Sequence, residues 1–83
     1  MIDEKYCLIL ETLRFLELCQ LNLKNGRIDL EDYFEIVKIK FKFINYVLIE
    51  DRTFLRDYNE IGNFLNRVLN NHYNEALRCP SPL

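Results

Sequence analysis

The chain has 83 residues, of which 49% are hydrophobic and 13% aromatic, and its formal net charge at pH 7 is -2. This length allows one small domain, and the apolar content exceeds what a small monomer easily buries, so we expect a homodimer or a larger protein partner. The nearly balanced charge does not indicate a nucleic-acid-binding protein. Charged residues interrupt every apolar run, so no segment reaches the roughly 20 residues of a membrane-spanning helix.

The three cysteines do not form a disulfide framework, because Cys7 and Cys19 face different ways on one predicted helix and Cys79 lies near the end of the chain. They also lack the close pairing of a zinc site. Asp3 and Glu4 stand where a secretory signal would carry basic residues. We therefore predict reduced thiols, a cytoplasmic protein without membrane association, and neither a metal nor a cofactor.

The first predicted helix covers residues 3–24. Its apolar residues recur at steps of four and three, the period of one helix face, and only Gln20 interrupts this stripe. Asn25-Gly26 is expected to end the helix, with Gly26 in the left-handed conformation. The same dipeptide also favours a two-residue β-hairpin turn, which is the alternative at this position.

The second predicted helix covers residues 29–50, the most apolar part of the chain. One stripe at helical spacing consists of Leu30, Phe34, Val37, Phe41, Ile44 and Leu48, and a second stripe beside it consists of Tyr33, Ile36, Phe43 and Val47. Asp29 can accept amide hydrogens of the first turn as the N-cap. The alternating sequence of residues 37–43 favours a β-strand instead, but the apolar run that follows breaks the alternation, so we predict a helix.

The third predicted helix covers residues 53–77, after a weak break where Asp51 or Thr53 can cap it. Its apolar stripe consists of Phe54, Tyr58, Ile61, Leu65, Val68 and His72. The stripe of the second helix stays in phase across the break, so one continuous helix over residues 30–77 is the alternative. We expect Gly62 to permit the close approach of another helix.

These elements predict an all-α fold, a small three-helix antiparallel bundle completed by homodimerisation. Residues 1–78 would form the single domain. Residues 79–83 contain both prolines and are predicted to be a disordered tail.

Arg67 and His72 carry a motif with a chemical meaning. The spacing of arginine, four residues and histidine resembles that of HEPN-type helical ribonucleases. The resemblance implies that Arg67 stabilises the phosphate and His72 transfers protons, in a cleft between two protomers, to cleave RNA through its 2′-hydroxyl without a metal. A histidine titrating near neutrality suits such chemistry. The alternative is that His72, which continues an apolar stripe, is a core or interface residue.

A second group of candidates is basic and would serve nucleic-acid binding: Lys38, Lys40, Lys42, Arg52 and Arg56. On a helix Lys38 and Lys42 share a face, whereas Lys40 points away. This arrangement is more typical of a solvated surface than of a phosphate-binding track.

We expect a non-enzymatic protein-interaction module, acting as an adaptor, an inhibitor or a regulatory subunit. With two glycines, one histidine and one serine, the chain lacks a phosphate-binding loop and a nucleophilic triad. The predicted binding interface consists of Phe34, Phe41, Ile44, Leu48, Tyr58 and Leu65. The alternatives are the HEPN-like ribonuclease and a nucleic-acid-binding regulator.

Overall fold

The structure, a computed structural model, describes residues 4–78 and the side chains of residues 4–75. As predicted, the fold is all-α. Within these residues there are four helices and no strand: α1 (Glu4–Lys24), α2 (Leu30–Glu50), α3 (Phe54–Asp57) and α4 (Asn59–Arg78). None of these helices is long and apolar enough to cross a membrane. The predicted tail, residues 79–83, lies outside the described residues.

The three long helices alternate in direction. Lys5 near the start of α1 pairs with Asp51 just after α2, with Nζ and Oδ2 3.8 Å apart, so α1 and α2 are antiparallel. The ring of Tyr6 contacts that of Tyr58, which directly precedes α4, so α4 runs parallel to α1. Both α2 and α4 pack on α1. The predicted antiparallel bundle is therefore confirmed for the single chain.

The turn between α1 and α2 is a helix C-cap. Gly26 has a φ of 73°. Its N–H donates to the Leu23 carbonyl at 3.1 Å, and the Arg27 N–H donates to the Asn22 carbonyl at 2.8 Å. These two bonds define a Schellman motif, which satisfies carbonyls that the helix end leaves open. The predicted helix-to-helix turn is confirmed, and the β-hairpin alternative is wrong.

Asp29 caps the start of α2, as predicted. Its backbone is extended, and its Oδ1 accepts the Asp32 N–H at 2.8 Å. Residues 37–43 lie in the middle of this helix, so the strand alternative is wrong. The alternating sequence does not decide the structure. Apolar residues before and after it recur at helical spacing and are buried where α2 packs on α1.

α2 ends at Asp51, whose φ of -127° and ψ of 88° are not helical. The Thr53 hydroxyl lies within hydrogen-bond distance of two carboxylates, Asp51 at 3.1 Å and Asp57 at 3.2 Å. Thr53 thus occupies the N-cap position of α3 but bonds side chains instead of amides. The continuous-helix alternative is wrong, because the chain leaves helical geometry at Asp51.

The predicted third helix is also divided. Tyr58 has a φ of -128° and a ψ of 74°, and it separates α3 from α4. Its ring centroid lies 4.9 Å from that of Tyr6 and 5.0 Å from that of Phe54. Its carbonyl accepts the Ile61 N–H at 3.0 Å, which starts the hydrogen bonding of α4. The prediction of one helix over residues 53–77 is wrong at this point, where aromatic packing on α1 accompanies the break.

The core occupies one face of each long helix. Its buried apolar residues are Ile9, Leu13, Leu16, Cys19, Tyr33, Val37, Ile44, Val47, Phe54, Ile61, Leu65 and Val68. In α2 the core follows the boundary between the two predicted stripes, since Val37 and Tyr33 are both buried whereas Phe43 is 38% exposed. The wide apolar face of α2 is therefore only partly used inside the chain.

Gly62 does not mark a close helix contact within this chain. A Cβ atom added there would meet only Leu55 Cδ2, at 3.9 Å, which is an ordinary van der Waals distance. The expected close approach of another helix is therefore absent from the part of the chain that the structure describes, because no neighbouring backbone lies against this position.

Candidate functional site

A hydrogen-bonded network of polar side chains lies in the core where α1, α2 and α4 meet. Gln20 Nε2 donates to the Val68 carbonyl at 2.9 Å and to the Tyr33 hydroxyl at 3.3 Å. Gln20 Oε1 accepts from Asn71 Nδ2 at 3.5 Å. Gln20 is only 6% exposed, and a buried amide without partners would be costly, so these bonds fix how the three helices align.

His72 extends this network. Its Nδ1 lies 3.1 Å from the Tyr33 hydroxyl, and its ring contacts Phe34 and Phe41 at centroid distances of 5.9 and 5.1 Å. Burial lowers the pKa of His72 from its ordinary value of 6.5. Burial likewise raises the pKa of Tyr33. Because the Tyr33 oxygen accepts from Gln20, its hydrogen can point to Nδ1 of a neutral imidazole.

Arg67 lies on another side of α4. Arg67 and His72 are five positions apart, so their side chains point about 140° apart around the helix axis. Arg67 Nε donates to Glu17 Oε2 at 3.1 Å, and its guanidinium carbon lies 4.5 Å from the centroid of the Phe64 ring. The structure does not bring Arg67 and His72 into one site of the single chain. The HEPN-type activity stays a prediction, and this geometry does not favour it.

An apolar groove of about 500 Å³ separates α2 from α4, which both pack on α1. We call this the α2/α4 groove. Its lining consists of the apolar residues Phe41, Ile44, Leu48, Leu65 and Leu69 and the polar residues Lys38, Lys42 and Asn45. α4 contributes both to this apolar groove, through Leu65 and Leu69, and to the polar network, through Val68 and Asn71.

The predicted binding interface is divided between this groove and two contacts elsewhere, and its groove residues Ile44 and Leu65 also belong to the buried core. Four of its six residues line the α2/α4 groove: Phe41, Ile44, Leu48 and Leu65. The other two pack elsewhere, Phe34 against His72 and Tyr58 against Tyr6. The structure thus brings most of the predicted set together, while its role in binding stays a prediction.

A second apolar surface lies along the outside of α1 and α2. We call it the outer face; it consists of Leu8 and Phe15 of α1 and Ile39, Phe43 and Tyr46 of α2, all exposed. The α2 members are four and three residues apart and therefore neighbours on one side of that helix. Lys40 of α2 lies over Phe15, with Nζ 5.1 Å from the ring centroid, so the α1 and α2 parts adjoin.

The basic candidates do not form one patch. Lys38 and Lys42 lie at the α2/α4 groove, whereas Lys40 covers Phe15 on the opposite side of α2. Arg56 pairs with Asp57, its neighbour in α3, at 3.9 Å. This division of the lysines agrees with their helical spacing. Nucleic-acid binding stays a prediction without a continuous basic track to support it.

A polar pocket of about 350 Å³ lies between α1 and α4. Its lining consists of Glu17, Gln20, Leu21, Lys24, Asn71, Asn74 and Glu75. Among the described residues, no group of three or more histidines, cysteines, aspartates or glutamates is placed to hold a metal ion. The pocket offers amides and charged groups, and its lining contains no serine, threonine, cysteine or histidine.

Sequence reasoning missed Gln20 and Leu69, and it placed none of the five outer-face residues in the predicted binding interface. Gln20 was seen only as an interruption of an apolar stripe, although a polar residue at a core position is itself a signal of a buried hydrogen-bond network. Leu69 is not part of the predicted stripe of the third helix, and no periodicity could show that it borders an open groove. Its exposure, 40%, depends on how far α4 stands from α2.

No protein-family model, no curated protein and no solved structure matches this chain. A functional proposal therefore rests on the geometry of its surfaces.

Proposed function

We propose that the protein is a small non-enzymatic interaction module, an adaptor, an inhibitor or a regulatory subunit, that binds a second copy of itself or a larger protein. The exposed outer face is the observation that supports this proposal. Ile39 is 67% exposed and Tyr46 is 64% exposed. Contiguous apolar surface in water is unfavourable, and on small proteins it commonly marks a binding site.

The exposed apolar residues of the outer face are clustered, and a cluster indicates a binding surface where scattered residues would not. Single exposed apolar residues are ordinary on any protein. Here the exposed residues of α2 are consecutive on one helix side, and Phe15 of α1 continues them. Two of the five are phenylalanines and one is a tyrosine, and aromatic residues are enriched at the centres of protein interfaces.

A cytoplasmic setting belongs to the same proposal. Cys7 and Cys19 are free thiols. Burial raises the pKa of Cys19, which keeps that thiol protonated and unreactive. Two unpaired thiols on one helix are ordinary in a reducing compartment.

Sedimentation equilibrium at several concentrations tests self-association through the outer face. We expect the wild-type chain to form a dimer and the double variant Ile39→Asn/Tyr46→Asn to sediment as a monomer, because two exposed apolar anchors are lost without disturbing the core. Leu21→Asn is the matched control, since Leu21 is an exposed apolar residue of α1, 52% exposed, that lies at the pocket between α1 and α4 and outside this face. It should behave as the wild type.

A monomeric wild type would restrict the proposal to a larger partner. That partner should then be retained by the immobilised wild-type chain and lost by the double variant. An RNA-cleaving activity that disappears in His72→Ala would contradict the proposal, because it would assign the chain to the enzyme class instead.

A further inference from the structure

The α2/α4 groove has the form of a helix-binding trough. Phe41, Ile44 and Leu48 follow one another at steps of three and four along α2, opposite Leu65 and Leu69 of α4. Its α2 wall, residues 38–48, is about 15 Å long at the rise of an α-helix, which matches about three turns of a bound helix. Amphipathic helices that bind such troughs insert apolar residues at the same steps.

The two edges of the groove differ in charge. On the α2 edge, Lys38 and Lys42 are exposed, lie one helical turn apart and form no ion pair with any residue between 4 and 75. On the α4 edge, the exposed neighbours of Leu69 include Asn66 and Asn70, which are uncharged. The groove therefore presents positive charge along its α2 edge only. A helix bound in the groove would meet lysines on one flank and uncharged residues on the other.

Other occupants fit this charge pattern less well. If the groove met the groove of a second copy, a twofold axis across the groove would bring Lys38 and Lys42 of both copies toward each other. An axis along the groove would place these lysines against the uncharged α4 edge, so neither arrangement pairs them with carboxylates. An RNA strand would find two adjacent cations here, since Lys40 lies on the opposite side of α2 over Phe15. RNA binding without sequence preference normally requires a longer basic track.

We infer that the α2/α4 groove binds an amphipathic helix of a partner protein, one whose apolar stripe enters the groove and whose carboxylates, one turn apart, pair with Lys38 and Lys42. This inference rests on the proposed function and adds to the outer face a second binding surface, for a partner of stated chemistry. The apolar lining supplies most of the affinity, because exposed ion pairs contribute little. The lysines select the partner and set the direction in which its helix lies.

The test uses two synthetic helical peptides of about 15 residues. Both carry leucines at steps of three and four, and one has glutamates along a single flank where the other has lysines. Titrated against the full chain by fluorescence anisotropy, the glutamate peptide should bind roughly tenfold more tightly than the lysine peptide. In the variant Lys38→Glu/Lys42→Glu this preference should reverse.

The neutral variant Leu69→Asn separates the apolar contribution from the charge. It should weaken binding of the glutamate peptide about tenfold or more, with unchanged helix content by circular dichroism. Leu18→Asn, on α1 and away from the groove, is the matched control and should leave the affinity unchanged.

If either peptide binds, three results would overturn the inference. The first is equal affinity for both peptides, and the second is an unaffected affinity in Leu69→Asn. The third is displacement of the glutamate peptide by a single-stranded RNA oligonucleotide whose affinity for the chain falls steeply with salt concentration. If neither peptide binds while Ile39→Asn/Tyr46→Asn abolishes self-association, the groove inference fails and the proposed function stands.

Discussion

The two sides of α4 are built in opposite ways. On the side toward α1, Gln20 bonds the Val68 carbonyl at 2.9 Å, and Glu17 pairs with Arg67 at 3.1 Å. On the side toward α2, contact is made through His72 and Tyr33, and beyond them the α2/α4 groove stays open. One helix is thus fixed to α1 by polar bonds and leaves apolar residues uncovered toward α2.

This difference separates residues that hold the fold from residues that are available for binding. In the closed region the Gln20 amide is buried and paired, so removing it disturbs the alignment of three helices, whereas the Glu17–Arg67 pair is exposed. Leu69 in the groove is 40% exposed, so folding removes less of its apolar surface from water. Substitutions in the two regions should therefore have different costs, which the following predictions test.

The largest effect is expected at Tyr33, which is fully buried and connects α2 to both other long helices. Tyr33→Ala should lower the free energy of unfolding by about 3–5 kcal/mol, because it leaves a large cavity and removes the hydroxyl from the network. Tyr33→Phe should cost only about 1 kcal/mol, since the ring remains. Urea denaturation of both variants measures the difference.

The comparison variant is Leu69→Ala on the groove side. We expect a cost below about 1 kcal/mol, because much of this side chain is already in contact with water. If Leu69→Ala destabilised the chain as strongly as Tyr33→Ala, Leu69 would belong to the core as Ile44 and Leu65 do, and the distinction between the two sides of α4 would be lost.

A smaller effect should appear on acidification, at the point where α2 and α4 touch. Burial lowers the pKa of His72 below 6.5, so the unfolded chain binds a proton more readily than the folded chain. The contribution of neutral His72 to the free energy of unfolding is therefore complete above pH 6.5. It is lost as the pH falls from 6.5 toward the lower pKa that His72 has in the folded chain. Melting temperatures between pH 7.5 and 5, compared with those of His72→Phe, isolate this effect, because the variant lacks the titrating ring. Parallel curves for the two proteins would contradict it.

The smallest expected effect is a gain. Gly62→Ala should raise the free energy of unfolding by about 0.5–1 kcal/mol, because alanine is the better helix former and its Cβ has room beside Leu55. Thermal or urea unfolding measures this. Gly62 and Leu69 are seven residues apart on one side of α4, so the same variant also probes the open region. A loss of stability would mean that the space at Gly62 is occupied within the chain.

Much of the fold could be predicted because its signals are local. Gly26 ends α1 and Asp29 starts α2 through bonds that span only three to five residues. The apolar stripe of α4, with Ile61 and Val68 buried, likewise follows from helical spacing alone. The candidate site was predicted in part, since Phe41 and Ile44 were assigned to an interface and both line the groove.

The sequence by itself therefore determined the helical class, the turn and cap between α1 and α2, and which residues could be apolar faces. The tertiary structure decided the rest: the break at Tyr58, the role of Gln20 and the opening of the groove. Gln20 and the Val68 carbonyl are 48 positions apart, and no short-range pattern couples residues so distant. Their hydrogen bond exists only because α4 packs on α1. α2 also packs on α1, and the space between α2 and α4 stays unfilled.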